Sequence, residues 1–433
     1  MAVTDEITYY MRPVNGDDSA DGMSFATAWK TWRHTFNTLT NAGGYTPGAT
    51  FWGSRLLLAN EGGSYTGPYH GPTGAEYDYR IDSLFTSIGN QFMIQGVSSD
   101  GNAYEDVNFV FDMSGFTYEY WLYCFSSVNV NSANGLSFKN ITWRGLSADA
   151  GAKGILTTLY DNEAARMVSY DNCIFEDNEV VESLFGYGGY NGSYDFINCI
   201  FRRNNSYNNN KGCISSNYHN YNSQRNSGLQ LYECEIHSNN KHADSSPYIL
   251  ATPGPLGNQN VKILNSVFYD NGNADSDIVL HFNAQTEAAN IRIQDCVFFG
   301  NAGTGIYYRS ANTDANYGDS IYGSKIISCV FALNNKSIDA EATPGVRQAM
   351  FTNNLFYNNT VVDIPTWMSG TTGWGISNTV GNPAFTNGQS GDFSAALTSP
   401  VFVNSRDVRF PIGGRYVVQT ESTSTLPTIV SFF

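Results

Sequence analysis

The chain has 433 residues, of which 41% are apolar and 14% aromatic, a balance that excludes a disordered polypeptide. Only 14% are charged, far below the usual share in soluble domains, which argues against helical bundles and coiled coils. With 39 Asp and Glu against 23 Lys and Arg, the net charge is −16; this excludes a broad nucleic-acid-binding face and disfavours long-range attraction of acidic polysaccharides, though a local basic patch could still act.

The 42 Gly and 47 Asn point to many turns, because both residues tolerate left-handed backbone and weaken helix interiors. The opening MAVTDEITYYMRPV lacks a basic stretch followed by an apolar one, so no cleaved secretion signal is expected. No run approaches 18 apolar residues, so no membrane insertion is expected either.

In chain order, residues 1–48 read as an N-terminal cap or attachment segment. Within it, ATAWKTWRHTFNTL (26–39) is apolar on one face and suits a short helix covering an open core. Just before it, Asp17, Ser19 and Asp21 place oxygens at alternate positions ahead of Gly22, like the start of a Ca²⁺ loop. Position 28 is Ala where an EF-hand has Glu, so the competing reading is an Asx-rich turn. Early strands are expected in RLLLANEGGSYTG (55–67), NQFMIQGV (90–97) and VNFVFDMSG (107–115).

Beyond residue 135 the chain repeats itself: LSFKNITW (136–143), VSYDNCIF (168–175), YDFINCIF (194–201), LQLYECEI (229–236), VKILNSVF (261–268), IRIQDCVF (291–298), SKIISCVF (324–331) and AMFTNNLF (349–356). The final residues form a column from Trp143 to Phe356, with steps of 32, 26, 35, 32, 30, 33 and 25 residues. A second apolar column runs from Phe138 to Phe351 and a third, weaker at its end, from Leu136 to Ala349. Alternation inside each repeat is the period of a strand, and units of this length without helical periodicity fit coils of a parallel β-helix. Three residues before the last column stand Asn140, Asn172, Asn198, Glu233, Asn265, Asp295, Ser328 and Asn353, residues mostly suited to a left-handed corner. Three residues after it an Asn recurs, at 178, 204, 239, 271, 301, 334 and 359. Cys173, Cys199, Cys234, Cys296 and Cys329 share one offset, which reads as a ladder of small buried side chains. The expected fold is all-β, a single-stranded parallel β-helix of about 10–12 coils over residues 49–375, with 376–433 as a C-terminal capping or interaction tail.

Outward positions after the aromatic column carry the chemistry. Glu176, Asp177, Arg202, Arg203, His237 and Asp270 are the catalytic candidates, weighed against a solvated charge ladder. Asp177 and Asp270 lie three coils apart, roughly 14 Å at about 4.8 Å per coil, too far for a glycosidase pair. A lyase needs a base and a means of neutralising a uronate carboxylate. Basic residues paired on adjacent coils are expected only around Arg202 and Arg203. Tyr187, Tyr190, Tyr207, Tyr218 and Tyr221 lie in Asn- and Gly-rich stretches between coils and are candidates for glycan or protein contact.

The opening YYMRPVNGDDSADGMSFATAWKTW (9–32), the repeats, and the closing NPAFTNGQSGDFSAALTSPVF (382–402) together resemble the right-handed parallel β-helix proteins of the pectate-lyase-like superfamily. Without a secretion signal, the chain looks more like a phage-encoded member than a secreted enzyme. That resemblance implies a virion protein, a head decoration or tail spike, with capsid or tail proteins and a host surface polysaccharide as partners and a homotrimer as its assembly. It carries over no catalytic motif residue by residue, and no cofactor other than the Ca²⁺ considered above. The alternative it leaves open is a polysaccharide depolymerase acting on host capsule or lipopolysaccharide.

Overall fold

The computed structural model describes residues 7–40, 55–67, 80–81, 91–103, 107–117, 120–125, 134–159, 166–188, 192–208, 211–215, 228–252, 260–284, 290–310, 324–340, 350–361, 377–396, 398–404 and 411–414. Three long sheets run along one axis: a first of 11 strands, a second of 11 and a third of 9. Each strand pairs in parallel with its counterpart one repeat away, so the chain is a parallel β-helix. Among the described residues no helix is long and apolar enough to cross a membrane.

One coil shows how sequence sets the path. Gly192–Ile197 lies in the first sheet and Ile200–Arg202 in the second. Between them Asn198 takes φ 52°, and all eight residues of that column, from Asn140 to Asn353, are left-handed. A second left-handed column follows the second sheet: Gly145, Asp177, Arg203, Ser238, Asp270, Gly300, Leu333 and Asn358. The short strand between the two corners presents one aromatic or aliphatic side chain inward. Ile214–Ser215 then joins the third sheet, and the chain returns to the first at Gly228–Tyr232.

Inward columns stack coil on coil. Trp143 lies 5.2 Å from Phe175 at 4° between ring planes, and Phe298 lies 4.9 Å from Phe268 and 4.8 Å from Phe331. Such pairs add about 0.5–1.5 kcal/mol each beyond the area they bury. The recurring Asn forms a buried ladder. The Nδ2 of Asn204 donates to the Oδ1 of Asn239 (3.0 Å) and to the carbonyl of Phe175 (2.8 Å), while its backbone N–H also donates to Asn239 Oδ1 (3.0 Å). The same three bonds recur at Asn239, Asn271, Asn301 and Asn334, so each amide inside the ladder is satisfied without water. Cys173, Cys199, Cys234, Cys296 and Cys329 are free and buried; their thiols donate to first-sheet carbonyls of the preceding coil, such as Tyr170 for Cys199.

The ends are closed differently. Thr8–Met11 adds a strand to the first sheet beside Arg55–Asn60, so part of the N-terminal segment belongs to the solenoid's own sheet. The helix Trp32–Thr40 covers the open core, with Trp32 against Phe111 at 5.2 Å and its N–H bound to the Tyr65 hydroxyl. At the other end, residues 381–396, 398–404 and 411–414 fold back along the outer face of the second sheet. Phe393, Ala395, Val401, Phe402 and Ile412 bury Val267, Tyr269, Val297, Phe299, Val330, Ala332 and Leu355. The tail thus covers the side of the solenoid. Gly388 permits the approach, since a Cβ there would lie 2.7 Å from the Phe299 ring.

Candidate functional site

The second sheet's outer face changes character along the axis. Its register aligns Asp112, Arg144, Glu176, Arg202, His237, Tyr269 and Phe299 in one column, polar on the early coils and aromatic where the tail begins. Two charged clusters occupy the part ahead of the tail, the second reaching Tyr269 at the tail's edge.

The first joins four candidates. Arg202 meets Glu176 with Nε at 2.8 Å and Nη2 at 2.5 Å from Oε2. Arg203 meets Asp177 through two parallel bonds, 2.6 and 2.8 Å, and reaches Glu176 Oε2 at 3.3 Å. Hydrogen bonding to Arg203 holds the Asp177 carboxyl below the usual carboxylate range, against the opposing effect of partial burial. Both carboxylates are committed to arginines on the next coil. A glycosidase general acid needs the opposite, a carboxyl that keeps its proton.

The second cluster holds His237 and Asp270. The Tyr269 hydroxyl donates to Glu235 Oε1 at 2.6 Å; burial first, and then this bond, push its pKa well up. The His237 ring stacks on Tyr269, with centroids 4.6 Å apart and planes nearly parallel at 6°, and its Nε2 is 3.6 Å from Glu235. Burial lowers the His237 pKa and Arg202 and Arg203 add to the effect, with Glu235 and Asp270 opposing. Ser238 donates to Asp270 Oδ2 at 2.8 Å, and Lys241 lies 2.8 Å from its Oδ1. The six candidates therefore fall into two neighbouring ion-paired groups, meeting where Arg202 and His237 pair in register.

Of the five tyrosines, Tyr207 is half-buried, with its ring 6.4 Å from His242 and its pKa raised by burial and by Glu179. Tyr187 falls in the strand Phe185–Gly188 of the third sheet rather than in a connecting loop. Tyr190, Tyr218 and Tyr221 lie outside the described residues.

The Asp17–Asp21 segment is a set of Asx turns. Asp17 Oδ1 accepts from the N–H and hydroxyl of Ser19, and Asp21 Oδ1 from Met23 N–H and the Thr27 hydroxyl. These bonds lower both carboxyl pKa values. Asp18 accepts from the N–H groups of Lys30 and Thr31, just ahead of the helix. Among the described residues no group of three or more His, Cys, Asp or Glu is placed to hold a metal ion.

One feature escapes the sequence reading. On the first sheet's outer face Lys262 pairs in register with Arg292, and Arg292 with Lys325. Basic side chains on adjacent coils are therefore not confined to Arg202 and Arg203. All three stand six residues before the aromatic column, so counting Lys and Arg together at that offset reveals them.

No protein-family model matches the chain, and no curated protein matches it.

Proposed function

We propose that this β-helix is a structural and adhesive virion protein of the phage type, a head decoration or tail spike that presents a rigid surface to a host glycan. The observation that carries the reading is the mutual neutralisation of Glu176, Asp177, Arg202 and Arg203. The strongest catalytic candidates serve as ties between coils, which favours a scaffold over a depolymerase. The continuous aromatic stacks and Asn ladder support it, because a rod that transmits contact at a surface gains from a core that does not yield.

The test uses labelled, intact protein on host cells and on the same cells stripped of capsule and lipopolysaccharide. Binding that disappears with the glycan supports the adhesive role. Equal binding to both, or none to either, overturns it and leaves at most assembly on the particle.

A further inference from the structure

The inward aromatic column meets solvent at one end only. At the N-terminal end it starts at Tyr65 and Phe111, and Trp32 covers both: its N–H donates to the Tyr65 hydroxyl and its ring lies against Phe111. The outer edge of Thr8–Met11 is occupied too, with Tyr10 N–H donating to the Gly22 carbonyl and Arg12 N–H to that of Trp29.

At the C-terminal end the column runs through Phe331 and Phe356 to Val380. Its members from Trp143 to Phe356 are at most 1% exposed, whereas Val380 is 60% exposed. A position that faces the core in every earlier coil faces water here. Three more exposed apolar side chains, Met350, Val361 and Val403, stand around it. Met350 opens the last strand of the first sheet. Val361 N–H donates to the Asn335 carbonyl, and Asn404, next to Val403, lies 3.4 Å from the Thr379 hydroxyl. Among the described residues the first sheet ends at Met350–Thr352 and the second at Thr379–Val380. A sheet edge flanked by exposed apolar side chains is a template for a further strand.

We propose that residues 427–433 of the same chain, PTIVSFF, are that strand: they pair beyond Thr379–Val380 and lay apolar side chains over Val380 and its neighbours. The segment lies outside the described residues, and its composition suits the role. Thr, Ile, Val and Phe favour strands, and Pro stands first, where a strand tolerates it. The segment is within reach. Gly413 N–H donates to the Ser328 carbonyl, and Gly414 sits against the Asn265 and Asp295 corners. From Asn265 the corners climb through Asp295, Ser328 and Asn353 to Ser377, four steps or roughly 19 Å. Residues 415–426, largely polar from Gln419 to Thr425, extend to about 40 Å. The other exposed apolar pair in reach, Ile197 and Tyr232, offers no edge, because Gly192–Ile197 and Gly228–Tyr232 are paired on both sides. A second copy could supply the same strand, but tethering gives the chain's own segment the higher local concentration.

Hydrogen exchange of the full chain, read by mass spectrometry at two protein concentrations, tests the assignment. Wild type is compared with Val380→Asp and with Ile429→Asp/Val430→Asp, each checked first for unchanged exchange in Asn290–Gln294. The expected result is protection of 428–433 in wild type, and exchange about tenfold or more faster there and at 379–381 in both variants. Unprotected 428–433 in wild type overturns the proposal, and that arm does not depend on either variant folding. Val380→Asp that leaves 428–433 protected also overturns it. Changes confined to Gly192–Ile197 and Gly228–Tyr232 overturn it by moving the segment to the first sheet. Protection that fades on dilution overturns it by assigning the strand to a second copy.

Discussion

Arg203 grips Asp177 through two parallel hydrogen bonds of 2.6 and 2.8 Å, although both residues stand at left-handed corners with φ 54°. The pair spans one coil step, with its side chains about half exposed. A double-mutant cycle with Asp177→Asn and Arg203→Gln is expected to give a coupling of about 0.5–1 kcal/mol by urea denaturation. Arg203→Ala should cost more than Asp177→Ala, because it also removes a partner of the well-buried Glu176. Equal costs would mean that Glu176 gains nothing from Arg203.

The Asn ladder should be the least replaceable polar element. Asn239→Ala takes the acceptor from the Asn204 backbone N–H, one of two acceptors from the Asn204 Nδ2 and a donor from the Phe201 carbonyl, and is expected to cost about 3 kcal/mol. Asn359→Ala, at the end of the ladder, should cost about half as much. Chemical denaturation of the two variants provides the comparison, and equal losses would contradict a chain of dependent bonds.

Gly300 sits at φ 60°, with nothing within 4 Å of a Cβ built there. Gly300→Ala therefore isolates the backbone cost, about 1 kcal/mol. Gly300→Asn should cost less, as Asn358 fills the same corner two coils on. Thermal melts of both variants decide whether conformation alone selects this column.

Acid should loosen the N-terminal cap. Burial opposes ionisation of Glu61, but hydrogen bonds from Asn15, Val14 and Arg12 outweigh it and hold its carboxyl below the usual range. A depressed folded pKa means stability that is full above the unfolded value, near pH 4, and is lost as pH falls through the folded one. Glu61→Gln should flatten that loss, read as hydrogen exchange in residues 8–16 against pH. An unchanged profile would remove Glu61 from the account.

Much of this was legible beforehand, and the reason is periodicity. A residue that repeats once per coil states its own environment, as the Asn column and the eight left-handed corners from Asn140 to Asn353 do. What stayed hidden depends on register between coils or on distant segments. Sequence places Glu176 and Arg202 at equivalent offsets but does not show that their charges cancel. The tail's apolar residues announce burial, yet only the fold assigns Phe393 to Tyr269 and Phe299. The column Lys262, Arg292, Lys325 was missed because its members differ in residue type while sharing one charge.

The central claim is that the rod holds a glycan without cutting it. Purified full-length protein incubated with host capsule and lipopolysaccharide, with and without EDTA, tests this through new reducing ends, absorbance at 235 nm and glycan bound. The account predicts bound glycan of unchanged length and no new absorbance. New reducing ends would contradict it and establish a depolymerase; added unsaturation would make it a lyase, and EDTA sensitivity would bring Ca²⁺ back to the site.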